Sequence, residues 1–205
     1  WEPNPEDLRQ FLEVDKIFLN GATYEKWLET TSLPSSKMLD TTETLKEQYI
    51  LIKNATTHAH AGNTHSHDGT AFTTWLNPIF LLKQISTISQ ELKRLYPQQK
   101  EKIQRKTQLL KEKINDIDQE LKTIFLNQKS FLASHPVYQN FAKAYDLNIQ
   151  SFLWEPEQMP SSQEWLEFET KKSHSRFMLW ENEPSEEIQK KLLTYGIQAI
   201  IFRPC

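Results

Sequence analysis

Four of the six histidines lie within ten residues, in the stretch "HAHAGNTHSHDGTAFTTWLNP" that opens at His58. His58 and His60 form one H-x-H pair, and His65 and His67 form a second, with Asp68 beside it. Imidazole is a good zinc ligand, and a segment with glycine and small residues can bend two such pairs around one ion. Ordering a flexible loop costs entropy, so its zinc affinity is expected to be modest. A polar insertion with no metal role is the competing reading. A fifth histidine, His135, stands alone after the apolar run "FLAS". The sixth, His174, sits among cations in "KKSHSR" and reads as solvated surface.

These residues need a scaffold. The chain has 205 residues, 38% hydrophobic and 25% charged, with a net charge of -3. That profile is globular and offers no basic field for nucleic acid. No apolar run reaches the roughly 18 residues of a membrane span. The single cysteine excludes an internal disulfide and a cysteine-built zinc site,. With four glycines, neither GxGxxG nor a P-loop can be written, and there is no GxSxG,. No nucleophile–base pair stands out, so the expectation is a binding protein and not an enzyme.

The order of elements predicts α/β architecture. "NPEDLRQFL" starts a helix with Asn4 as cap and Pro5 in the first turn. "VDKIFLNG" reads as a short buried strand ending in a glycine turn, and "TYEKWL" as a short helix. Residues 53–74 read as a polar loop. From 78 to 128, apolar residues recur at helical spacing, as one long helix or two end to end with Pro97 opening the second. A coiled coil is the plainer reading of that stripe. After 129, strands at 131–134, 149–153, 176–180 and 197–202 alternate with amphipathic helices. That pattern predicts one parallel sheet with helical crossovers. Ligands of such sheets gather beyond the carboxyl ends of the strands, which groups His135, Trp154, Glu155, Glu181 and Arg203 at one edge. The tryptophans at 75, 154 and 180 read as packing groups.

The chain resembles the zinc- and manganese-binding receptors of bacterial ABC importers over nearly its whole length. The resemblance is carried by "WEPNPEDL" and "VDKIFLNG", then the histidine loop, "AFTTWLNP", "FLASHPVYQNFAKAYDL" and "FMLWENEP". It implies two small α/β lobes with parallel sheets, bridged by a long rigid helix, with metal held between the lobes. The expected division is an incomplete N-terminal lobe at 1–74 with the histidine loop at 54–70. The linking helix follows at 75–128, then a C-terminal lobe at 129–205 that could itself be cut short. The family uses four metal ligands. The resemblance places the first ahead of Trp1, the second at Thr73, the third at His135 and the fourth at Arg203. Threonine is a poor zinc ligand, and arginine stays protonated and repels a cation. The inherited site is therefore expected to be degraded or rebuilt. Glu181 is expected as its supporting acid, and Glu181 or Glu183 as the partner of Arg203. In the resembling zinc receptors a loop like that at His58–His67 is an accessory metal collector.

The resulting expectation is a monomeric extracytoplasmic receptor, periplasmic or membrane-anchored. It would capture zinc, with manganese or iron as alternatives, and deliver it to an ABC permease. The rival readings are a zinc buffer acting through the loop alone and an interaction module that has lost transport-type metal binding.

Overall fold

Asn4 opens the first helix as its side chain requires. In α1 (Pro5–Glu13) the Asn4 carboxamide oxygen accepts from the N–H groups of Glu6 and Asp7, at 2.8 and 3.0 Å. The Asp7 carboxylate accepts in return from the Asn4 N–H at 2.9 Å, closing a capping box,. The structure is a computed structural model that describes residues 2–52, 58–60, 63–65, 69–172 and 174–204, with the strand pairing alone for 58–60 and 63–65. It forms two compact units, Trp1–Asp116 and Ile117–Cys205, and the boundary falls within a helix.

In the first unit, β1 (Ile17–Leu19) pairs in parallel with β2 (Met38–Asp40), Ile17 opposite Met38. Ile17, Trp27 and Leu33 form a small core, with Phe11 stacked on Trp27. The turn after β1 runs through positive φ at Gly21, Ala22 and Thr23. Glu25 holds it: its carboxylate accepts from the N–H groups of Asn20 (2.7 Å) and Gly21 (3.1 Å). Burial pushes the Glu25 carboxyl up, and those N–H groups pull it back down,.

The histidine-rich stretch is closed at its base, where β3 (Leu51–Ile52) pairs antiparallel with a later strand. Within it, β4 (His58–His60) pairs antiparallel with β5 (Asn63–His65), His58 opposite His65. The base is completed by β6 (Gly69–Thr70). His67 and Asp68 lie outside the described residues.

The apolar stripe after residue 78 forms α2 (Pro78–Leu95) and α3 (Lys100–Ile124), separated by a short 3-10 turn at Pro97–Gln99. The break at Pro97 is where the sequence places it, but the helices are not end to end. Thr107 donates to Ser89 (2.8 Å) and Lys111 to Ser86 (2.7 Å), so α3 runs back antiparallel along α2. Proline removes the helical N–H and excludes Tyr96 from the helical region, here at φ -125° and ψ 65°,. The chain can then fold back and bury one stripe against the other.

Glu91 on α2 takes both guanidinium donors of Arg94 at 2.8 Å, with Lys16 at 3.4 Å. The Arg94 hydrogen bonds, with Lys16 adding to them, hold its carboxyl down at about 2. A depressed carboxylate stabilises the fold above its unfolded value and ceases to as pH falls through the folded one. Arg94 is largely exposed, so the contribution is at most about 1 kcal/mol. In urea titrations, Glu91→Gln is expected to lower stability slightly at pH 7 and to match the parent near pH 2.

The second unit follows the predicted alternation. The strands are β7 (Ser130–Ala133), β8 (Asn148–Ser151), β9 (Phe177–Trp180) and β10 (Gln198–Ile201). The crossovers carry α4 (Gln139–Tyr145), α5 (Ser162–Lys171) and α6 (Glu186–Thr194). Spatial order is β10-β9-β7-β8, every pair parallel. Ser161 caps α5 in a capping box and Ser185 caps α6. Leu132, Trp154, Phe168, Met178, Trp180, Ile188 and Leu192 fill the core, which confirms packing roles for Trp154 and Trp180. In the first unit, Trp75 packs edge-on against Tyr24.

Candidate metal-binding centre

The strand order sets where a ligand can sit. From β7 the chain crosses to β8 on one side; from β9 it crosses to β10 on the other. The two connections diverge, and a crevice is expected at the carboxyl ends of β7 and β9, the switch point of the sheet. His135 follows β7 and Glu181 follows β9, so both stand at that point.

Backbone hydrogen bonds bring in a third side chain. Phe152 N–H donates to the Ala133 carbonyl (2.9 Å) and Trp154 N–H to that of Ser134 (3.0 Å), so the segment after β8 continues alongside the end of β7. This delivers Glu155 to His135. Ser185 N–H donates to the Pro156 carbonyl (2.8 Å), tying the loop that bears Glu155 to the loop that bears Glu181.

The result is an imidazole between two carboxylates. His135 Nδ1 lies 3.2 Å from Glu181 Oε1, and Nε2 lies 3.5 Å from Glu155 Oε1. All three are part-exposed. Burial raises the Glu181 carboxyl; His135 opposes that and the nearby Glu155 reinforces it,. The carboxylates face opposite ring nitrogens, so the three groups do not converge on one point. Among the described residues no cluster of three His, Cys, Asp or Glu side chains could by itself hold a metal ion.

The other sequence-derived positions lie elsewhere. Thr73 is buried in the first unit, just before the short turn Thr74–Leu76. Arg203 follows β10 and is exposed. The ion pair expected between Arg203 and Glu181 or Glu183 is not formed; Glu181 faces His135 instead. Arg203 is exposed, and a guanidinium in water needs no carboxylate partner,. The same strand end is fastened by backbone, with the Tyr138 hydroxyl donating to the Phe202 carbonyl at 2.6 Å. Sequence reasoning placed Glu155 at this edge but assigned it no role. Its position directly after an apolar strand, in the run Trp154-Glu155-Pro156, was the available signal.

Comparison with known proteins adds three findings. A family model described as the periplasmic zinc-uptake complex component A, ZnuA, matches residues 1–193. The high-affinity zinc uptake system protein ZnuA of Bacillus subtilis is 23% identical over 176 residues, 79% of this chain and 53% of that protein. The chain thus spans about half the length of the curated relative it matches. Among solved structures, the metal-dependent lipoprotein YcdH of Bacillus subtilis superposes with a TM-score of 0.79 at 18% identity, covering 98% of this chain and 73% of that one. The Zn(II)-bound ZnuA-like domain of AdcA from Streptococcus pneumoniae gives 0.77 at 19%, covering 100% and 74%. At these identities the structural likeness speaks for the fold.

Proposed function

The chain belongs to the family of periplasmic A components of zinc-uptake complexes, and from that premise we propose that it is the metal-capturing receptor of an ABC importer. It takes zinc, or a similar divalent ion, outside the cytoplasmic membrane and passes it to a permease. No organic cofactor and no chemical reaction are involved. Among the described residues, no helix is long and apolar enough to cross a membrane.

The observation that carries this reading is His135. The resemblance gives it a ligand position, and it stands at the switch point of the sheet, with Glu181 3.2 Å from Nδ1. A carboxylate beside a ring nitrogen can orient an imidazole that binds a metal. Thr73 and Arg203, at two of the three other positions that the resemblance gives a ligand, supply no donor suited to zinc. The centre is therefore a rebuilt version of the family site, served by the histidine loop as a collector.

Zinc titration calorimetry tests the division of labour. Replacing His58, His60, His65 and His67 together with alanine is expected to remove most of the zinc the chain takes up. Unfolding without metal should shift by less than about 0.5 kcal/mol, as for other surface substitutions. Equal uptake by parent and variant would show that the loop collects no metal.

A further inference from the structure

One face of α3 is turned to α2, where Thr107 and Lys111 reach Ser89 and Ser86. The outer surface has a different composition. Lys102, Arg105, Lys106, Leu109 and Lys113 recur there at helical steps of three and four, with Leu110 beside them,. All six are exposed, Leu109 at 54% and Leu110 at 47%. Between Lys100 and Lys113 six basic side chains stand against two acidic ones, a local charge of +4 in a chain of -3, which leaves -7 elsewhere. On the other helices, exposed cations are matched to a carboxylate one turn before them: Arg94 to Glu91, Lys122 to Asp118, Lys171 to Glu167 and Lys190 to Glu186. On this stripe only Arg105 has an acid four residues before it; Lys102, Lys106 and Lys113 follow Gln98, Lys102 and Leu109 at that step. Like charges at such spacing repel along a helix, so Lys102 and Lys106 favour an external anion.

We propose that this stripe is a docking face for an anionic lipid surface, a proposal that rests on the receptor reading above for its setting outside the cytoplasmic membrane. Basic side chains interleaved with exposed leucines on one helix face suit a headgroup layer. The ammonium and guanidinium groups meet lipid phosphates, and the leucines enter the acyl boundary. Arg105 can take a phosphate through two donors at once, while the lysines act as point charges. A protein partner would have to be shaped to a convex helix face; a fluid headgroup layer adapts to it. Each basic residue near an anionic surface strengthens attachment about fivefold, and the effect fades as salt screens the charges. The acidic remainder of the chain is repelled by the same surface, so contact is directed through α3. Two leucines bury too little to anchor the chain, and attachment stays reversible. The contact concentrates the receptor at the membrane that holds its permease.

The test is sedimentation of the full chain with vesicles of phosphatidylglycerol and phosphatidylcholine in equal parts, and with vesicles of phosphatidylcholine alone, at low salt and without added metal. The parent should bind the mixed vesicles about a hundredfold more strongly than the neutral ones and be released as salt is raised. Changing Lys102, Arg105, Lys106 and Lys113 together to glutamine should remove nearly all of that preference. Glutamine is a good helix former, so α3 should persist, which circular dichroism checks. The same exchange at Arg9, Lys46, Lys171 and Lys190 removes equal charge from exposed sites elsewhere and should cost less than about fivefold,. Leu109→Gln with Leu110→Gln should weaken binding about tenfold while release by salt persists. Equal binding of the parent to both vesicles, an unaltered affinity in the stripe variant, or an equal loss in the control variant overturns the proposal. So does a dimer, read by sedimentation equilibrium, that the parent forms and the stripe variant lacks. A chain that binds the mixed vesicles through the stripe yet takes up no zinc in a calorimeter supports the docking face and overturns the receptor reading.

Discussion

Gly21→Ala is expected to destabilise the first unit by about 3 kcal/mol or more. Gly21 adopts φ +76°. A non-glycine residue in this left-handed region costs about 1–2 kcal/mol. Space is the larger obstacle. A Cβ at this position would stand 2.1 Å from both Asp40 Oδ1 and Thr42 Oγ1. Neither atom is the loose end of a flexible chain. Asp40 accepts from the Thr42 N–H (2.7 Å) and hydroxyl (2.8 Å), and the Thr42 hydroxyl also meets the Tyr49 hydroxyl at 2.7 Å. Making room breaks part of this network in a buried setting, at about 1–3 kcal/mol for an unsatisfied polar group. Gly196→Ala is the control. Its φ is +73°, yet nothing lies within 4 Å of the added carbon, so only the backbone strain of about 1 kcal/mol should appear,. Urea unfolding of the two variants should separate them clearly; equal losses would mean that crowding at Gly21 is relieved without cost.

The second large effect is on metal. In the chain without loop histidines, His135→Ala should reduce zinc affinity by about a hundredfold or more, since it removes the imidazole at the switch point of the sheet. Stability without metal should change by only about 1 kcal/mol, because the side chain is part-exposed and its partners can turn to water. A large loss of affinity with little loss of stability marks a ligand; the converse would mark a packing residue.

How much of this could be read from the sequence depends on which physical signal each feature has. The four strands after residue 129 were legible because each is a short apolar run between amphipathic helices, and only a parallel sheet with crossovers accommodates that alternation. Asn4 marked the start of the first helix through its own capping chemistry. The break at Pro97 was legible, but the direction of α3 was not. Apolar periodicity says which face is buried and not what it meets, and the antiparallel return rests on contacts such as Thr107 with Ser89. β2 went unnoticed because three residues carry too little pattern to stand out from a loop,.

The candidate centre was legible to the same depth. Topology grouped His135, Glu155, Glu181 and Arg203 at one sheet edge, since all follow parallel strands. Partner choice within that edge was not legible. Glu181 faces His135 and Arg203 faces water because of loop paths set by backbone bonds such as Trp154 to Ser134. No property of the residue types encodes those paths.

The most direct measurement is nitrogen NMR of the His135 ring in the chain without loop histidines, recorded as zinc is added. The account predicts that a ring nitrogen of His135 shifts to a metal-bound value as zinc is added, and that the change saturates with the calorimetric titration. A ring spectrum unaltered by zinc, while the protein still binds it, would contradict the claim that His135 is where the chain holds metal.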